Sequence, residues 1–129
     1  MIQNLDNSSS KVKIKFEING DKRLEAELYI HLAPSLVTNI IKKKILYGRL
    51  FKQNDNYVYS PIDIISGVER KRTKFERGEI AFISSTGSMC IFLKETELKM
   101  PFTPIGKIIT NAETLEEIQQ GNTLIVEII

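Results

Sequence analysis

Few of the side chains in this 129-residue sequence that could do chemistry stand in useful company. His31, the one histidine, has no acidic or cysteine partner at the spacing of a metal-ligand set or a catalytic triad, and reads as a strand-end or surface residue. Cys90, the one cysteine, lies inside an apolar run and reads as a small buried hydrophobe rather than a reactive thiol; alone it can form no intramolecular disulfide. No glycine-rich phosphate loop, Cys/His zinc spacing or paired-carboxylate motif occurs, so no metal and no other cofactor is implied.

Two groupings remain. Arg70, Lys71, Arg72, Lys74 and Arg77 surround Phe75 in an irregular stretch, and Lys42, Lys43 and Lys44 form a second basic run. Together they would make a surface for RNA or DNA, with nearby aromatic rings stacking on bases. Glu69, Glu76 and Glu79 dilute that charge, and the whole chain has 18 Lys+Arg against 16 Asp+Glu, so a solvated loop is the plainer reading. The second grouping is aromatic: Phe51, Tyr57, Tyr59, Phe82, Phe92 and Phe102 are either core packing or the lining of a ligand groove.

These residues need a scaffold, and its centre is the stretch 78–93, two nearly uncharged strand-length runs separated by Ser84, Ser85, Thr86, Gly87 and Ser88. Short polar residues and a glycine suit a tight reversal, so the stretch predicts a buried hairpin. Residues 11–18 alternate strictly, with Lys11, Lys13, Lys15 and Glu17 opposite Val12, Ile14, Phe16 and Ile18, as in a half-buried strand. Asn19-Gly20 predicts a two-residue hairpin turn to a return strand over 24–30. Ala33-Pro34-Ser35 opens a helix with Leu36, Val37, Ile40, Ile41 and Ile45 on its apolar stripe; Lys42 to Lys44 suit its C-terminal dipole and Gly48 is placed to end it or the turn after it. A strand over 57–65 follows, with Pro61 at an edge or bulge. Residues 66–77 and 94–102 read as loops, 104–109 as a strand with Pro104 at its start or edge, 110–118 as a short helix opened by a capping box, and 123–129 as a buried strand. The sum is one mostly β domain over 11–129 behind a flexible polar leader, 1–10: a closed or nearly closed β-barrel capped by two helices. With no secretory signal pattern and no membrane-length apolar run, the expectation is a cytoplasmic protein without a membrane partner.

The order of elements and several local motifs resemble the cyclophilin fold. The run from Leu28 to Asn39 (Leu28-Tyr29-Ile30-His31-Leu32-Ala33-Pro34-Ser35-Leu36-Val37-Thr38-Asn39) resembles its strand-to-helix passage, Gly48-Arg49-Leu50-Phe51 the glycine and phenylalanine before the catalytic arginine, Gly87-Ser88-Met89-Cys90-Ile91-Phe92 its glycine-serine-glutamine-phenylalanine-phenylalanine strand, and Ile105-Gly106-Lys107-Ile108 its phenylalanine-glycine-lysine-valine strand. The closer resemblance is to the small prokaryotic cyclophilin-like proteins described as of unknown function, through Gly78-Glu79, Cys90-Ile91-Phe92 and Ile105-Gly106-Lys107-Ile108.

The resemblance implies a groove and invites an activity, prolyl isomerisation, in which a cation donates hydrogen bonds near the prolyl nitrogen as the amide twists over a barrier of ~18–20 kcal/mol. It places Gln53, an uncharged donor, where the arginine would stand. Met89 replaces the glutamine, Ile91 a phenylalanine of the pocket floor, Phe102 the pocket histidine and Glu97 the tryptophan; a shifted alignment would bring Arg49 or Lys52 into the groove. The expectation is therefore a noncatalytic binding module whose groove, formed by Phe51, Gln53, Tyr59, Met89, Ile91 and Phe102, takes a peptide segment or small ligand. A weak prolyl isomerase and a basic-surface nucleic-acid binder are the alternatives. The oligomeric state is not legible in the sequence.

Overall fold

A computed structural model describes residues 10–64 and 69–129; the expected leader, apart from Ser10, and residues 65–68 of the stretch between strands lie outside it. Ten strands follow one another as β1 (Lys11–Ile18), β2 (Lys22–Tyr29), β3 (Ile45–Arg49), β4 (Phe51–Gln53), β5 (Tyr57–Pro61), β6 (Arg72–Phe75), β7 (Glu79–Ile83), β8 (Ser88–Phe92), β9 (Thr96–Thr110) and β10 (Thr123–Ile128). One α-helix, α1 (Pro34–Lys43), and two 3₁₀ helices, Ile30–Leu32 and Ala112–Glu117, complete the described chain. None of the described helices is long and apolar enough to cross a membrane.

The first strand has the predicted bounds, and its alternation is the burial pattern: Ile14, Phe16 and Ile18 are fully buried while the lysines face water. Ile18 pairs with Lys22, so the β1–β2 loop holds three residues rather than two; Asn19 and Gly20 both take positive φ, at 56° and 81°. On the wet face Lys13 meets Glu25 at 4.0 Å and Arg23 meets Glu17 at 3.8 Å, exposed pairs each contributing ~0.2–1 kcal/mol.

The strands lie in the order β3-β10-β1-β2-β9-β7-β8-β5-β4, all antiparallel, with β6 paired to β9 off this path. The end strands, β3 and β4, are consecutive in the chain with only Leu50 between them, so the sheet curls until its two ends adjoin. The expected barrel is nevertheless not closed by hydrogen bonds. Continuing the Phe51↔Tyr59 register would set Pro61 opposite Arg49, and proline has no N–H to give. Ile62 donates to the Gly87 carbonyl instead, at 3.0 Å, and Asp63 turns with φ 58°, so the chain leaves β3.

Gly48, expected to end the helix or the turn after it, is a strand residue. The helix stops earlier, where Lys44 takes φ 65°, and Ile45 begins β3. Glycine is needed at 48 for another reason: a Cβ there would lie 2.0 Å from the Ser60 Oγ across the meeting of the sheet's ends.

Helix α1 begins with Pro34 at its first position, as predicted, and sends Leu36, Val37 and Ile40 into the core. Its N-cap residue, Ala33, has no side chain to offer. The cap comes from Glu69, whose Oε1 accepts the N–H groups of both Ser35 and Leu36 at 3.1 Å. The second helix departs from its predicted capping box. Asn111 is left-handed and forms no side-chain cap, Thr110 Oγ1 accepts the Glu25 N–H instead, and six residues, Ala112–Glu117, form a 3₁₀ helix whose Leu115 reaches the core.

Strand β9 runs through 96–102, where a loop was expected, and β6 occupies part of the predicted loop 66–77. Pro104 is tolerated in mid-strand because the β7–β9 register slips beside it: Ala81 faces Pro104 and Ile80 faces Gly106, leaving Ile105 in a bulge. The central hairpin is as predicted, β7 and β8 joined across Ser84–Gly87, with every residue of β8 buried. It has an apolar cluster on each side. Ile80, Phe82, Met89 and Ile91 face the main core inside the curl; Ala81, Ile83, Cys90 and Phe92 face a smaller cluster outside it.

Candidate aromatic groove

The smaller cluster defines the candidate site. Cross-strand partners share a face, so Phe51 of β4, Tyr59 of β5 and Cys90 of β8 line up, as do Gln53, Tyr57 and Phe92. Over the Phe92 end lie β6 and the first half of β9, which contribute Phe75, Leu98 and Phe102. Phe75 stacks on Phe92 with ring centroids 4.4 Å apart and 7° between planes, and Phe102 meets Tyr57 edge-on at 5.6 Å. Such pairs contribute ~0.5–1.5 kcal/mol each beyond the area they bury. Beyond this cover the aromatic row stays half-exposed: Tyr57 lies 6.2 Å from Tyr59, and Tyr59 5.7 Å from Phe51.

Of the six residues expected to form the groove, Phe51, Gln53, Tyr59 and Phe102 are on this outer face. Met89 and Ile91 are not with them: both are buried, at 2% and 1% exposure, on the core side of β8. A one-residue change of register exchanges the faces of a strand, and β8 turns Cys90 and Phe92 outward where Met89 and Ile91 were expected. Gln53 and Phe102 line a cavity of ≈470 Å³ together with Asn54, Tyr57, Leu98 and Met100, while Glu97 and Lys99 also border it. Leu98 and Met100 were hidden in the supposed loop. Thr96, Leu98, Met100 and Phe102 recur at every second position, a strand period that the intervening charges and Pro101 obscured.

The rings offer apolar contact and the tyrosine hydroxyl and carboxamides neutral hydrogen bonding, with the charges of Glu97 and Lys99 at the border. Burial raises the Tyr57 hydroxyl pKa, with smaller contributions from Cys90 and Tyr59, so the phenol stays a neutral donor. Burial also raises the Cys90 thiol well above its ordinary value, which suppresses the thiolate. The two cations that a shifted alignment would supply are turned elsewhere. Arg49 donates to the Gly121 carbonyl at 3.0 Å, and Lys52, opposite inward-facing Val58, reaches Asp55 at 3.8 Å.

The five basic residues of 70–77 are spread over separate environments. Arg72 pairs with Glu79 and lies 4.6 Å over the Phe75 ring; Arg77 meets Glu116 at 3.1 Å and the Ala112 carbonyl at 3.2 Å. These two and Lys74 border a cleft of ≈830 Å³ that also holds Glu76, Glu95 and Lys107. Arg70 borders a different cavity, with His31 and Pro34, and Lys71 is exposed.

The curled sheet, its helix after the first hairpin and the 3₁₀ helix before the last strand define a cyclophilin-type architecture. The family model described as Cyclophilin-like matches residues 10–127, and the chain belongs to that family. Among solved structures it is similar to the hypothetical protein AF2241 from Archaeoglobus fulgidus, with a TM-score of 0.75 and 19% identity over 92% of this chain and 95% of that one. It is also similar to McbB, solved in complex with tryptophan, with a TM-score of 0.74 and 16% identity; 88% of this chain is covered, but only 44% of McbB. No curated protein matches the chain.

Proposed function

We propose that the protein is a noncatalytic cyclophilin-like binding module whose outer aromatic face takes a peptide segment or a small ligand. The observation that carries this reading is the half-exposed row Phe51, Tyr59, Tyr57 and Phe102, running beside the cavity that Gln53 and Met100 border. Aromatic rings on a rigid sheet offer contact area at small entropic cost, and carboxamides beside them pair with the polar groups of a neutral ligand. The catalytic step of an isomerase asks for a positive donor over the twisting amide. Gln53 stands on the groove face without a charge, so binding rather than turnover is the expected output.

The test is an NMR titration of the isotope-labelled protein with Ala-Pro peptides and with small aromatic compounds. Binding should shift the amides of 51–59 and 98–102, and Phe51→Ala or Tyr59→Ala should weaken it about tenfold, the usual scale for an aromatic anchor. Shifts confined to other parts of the molecule would refute the groove. The same samples report cis–trans exchange of the Ala-Pro bond. Exchange at the rate in buffer supports a noncatalytic module; faster exchange that Gln53→Ala abolishes would establish the weak isomerase.

A further inference from the structure

The cleft of ≈830 Å³ beside β6 shares no lining residue with the aromatic groove. Arg72, Lys74 and Glu76 border it from β6 and the turn after it, and Lys107, Ile108 and Ile109 from the second half of β9. Internal pairs hold its frame. The Glu79 carboxylate takes Arg72 on Oε2 and the Glu76 N–H on Oε1, the latter at 2.8 Å, and the Arg72 guanidinium rests on the Phe75 ring. Arg77 is bound to Glu116 and to the Ala112 carbonyl. Four charged side chains are left over: Lys74, Lys107, Glu76 and Glu95 all border the cleft, all are exposed, and none forms an ion pair among the described residues. Lys107 lies across the ladder from Glu79, whose oxygens are already taken, and Lys74 across from Glu97, which borders the other cavity.

The placement of these four sets the chemistry of an occupant. Phe75 pairs with Thr96, so the next residues outward, Glu76 and Glu95, stand opposite each other where the β6–β9 ladder ends. Like charges facing across a ladder repel, and a cation between them relieves the repulsion. Among the described residues no cluster of three or more metal-ligating side chains forms, so the two carboxylates suit an ammonium, which asks for acceptors rather than a full coordination set. Lys74 and Lys107, one on each side of the cleft, offer their own ammonium groups to a carboxylate. Ile109, 37% exposed, adds an apolar patch. A polyanion such as nucleic acid would meet Glu76 and Glu95, and a polycation would meet Lys74 and Lys107. A ligand with one charge of each sign escapes both penalties. The volume falls within the ~300–1,000 Å³ usual for small-ligand sites. We propose that this cleft binds a zwitterion of dipeptide size, with its ammonium between Glu76 and Glu95, its carboxylate at Lys74 and Lys107, and an apolar side chain on Ile109.

The experiment titrates the isotope-labelled full chain with leucyl-alanine at low ionic strength and follows it by NMR. Saturable shifts should appear at the amides of 74–79, 95 and 107–109 and leave those of 51–59 in place. Two blocked peptides test the ends on the unmodified protein. N-acetyl-leucyl-alanine lacks the ammonium and leucyl-alanine amide lacks the carboxylate, so each should bind about fivefold more weakly, the scale of one exposed ion pair. Variants then assign the ends: in Glu95→Gln the acetylated peptide should lose most of its disadvantage while the amide keeps its own, and in Lys107→Gln the reverse should hold. Both side chains are exposed, and circular dichroism checks that each variant is folded. Equal binding of the blocked peptides by the parent, unchanged selectivity in both folded variants, or shifts confined to the aromatic groove would each overturn the proposal. So would the absence of any shift at about 10 mM peptide, where even a millimolar site is mostly filled. None of these outcomes bears on the aromatic groove's own titration, which uses other ligands and other amides.

Discussion

Gly106→Ala should be among the most damaging single-methyl changes in this molecule. A Cβ at 106 would stand 2.0 Å from the Glu27 carbonyl oxygen and 3.0 Å from the Leu28 Cα, against an ordinary contact of 3.4 Å or more. The obstacle is backbone, held in place on both sides: Gly106 pairs with Leu28 on β2 and with Ile80 on β7. Relief therefore requires β2 and β9 to separate locally. Overpacking a core with one methyl costs ~1–3 kcal/mol where side chains can yield, and each ladder hydrogen bond lost adds ~1 kcal/mol. A cost of about 4 kcal/mol is a large share of the ~5–15 kcal/mol that holds a domain together. For a chain of this length that is on the order of 10–20 °C in melting temperature. Urea unfolding followed by circular dichroism measures it. A variant within ~1 kcal/mol of the parent would refute the claim that Gly106 is there to let two backbones touch.

Gly48→Ala faces a side chain instead, the Ser60 Oγ at 2.0 Å, so it should destabilise the protein and Ser60→Gly should recover part of the loss, read as a coupling in a double-mutant cycle of urea midpoints. Glu69→Ala removes the acceptor of two helical N–H groups and should cost about 1 kcal/mol in the same assay, while Glu69→Gln, which keeps a neutral acceptor, should cost less. Alkylation of Cys90 by iodoacetamide should be negligible in the folded protein at mildly alkaline pH and rapid in denaturant, since burial holds the thiol protonated. Tyr29 is raised to about 12 by burial first and then by its hydrogen bond to Glu27, so the folded chain keeps that proton where the unfolded chain has lost it; Tyr29's contribution is present below pH 10.0, and in alkaline titration stability should fall between pH 10.0 and about 12, less so in Tyr29→Phe.

Local pattern was legible wherever one physical effect dominated. Strict alternation fixed the bounds of β1, and the uncharged runs on either side of Ser84–Gly87 marked the central hairpin, because burial on one or both faces leaves a plain composition signature. Where two effects competed, pattern misled. Charges at Glu97 and Lys99 and a proline at 101 made half of β9 look like a loop, although its alternate residues Leu98 and Phe102 pack against the smaller cluster. Glycine 48 looked like a helix stop because its neighbour across the sheet, Ser60, is visible only in three dimensions. The Glu69 cap of α1 joins residues more than thirty positions apart and has no local signal at all.

The candidate site shows the same division more sharply. The expectation left Phe102 at the end of a loop where a strand runs, and it took the wrong parity on β8; parity decides chemistry. Met89 and Ile91 on the outer face would have made an aliphatic floor open to ligand; there, instead, Cys90 and Phe92 are covered by Phe75 from β6, and Met89 and Ile91 belong to the main core. The floor nearest Phe92 is thus already filled by the chain's own side chains, and what remains accessible is the Phe51–Tyr59–Tyr57 end with its carboxamide border. Truncating Phe75 would remove the stacked partner of Phe92 and open that floor at a cost of ~3–5 kcal/mol, whereas truncating Phe51 costs less because the ring is only half-buried. Stability and the proposed recognition are therefore assigned to different ends of one aromatic row, with Phe75 and Phe92 stacked in the smaller cluster and Phe51 and Tyr59 half-exposed beyond it.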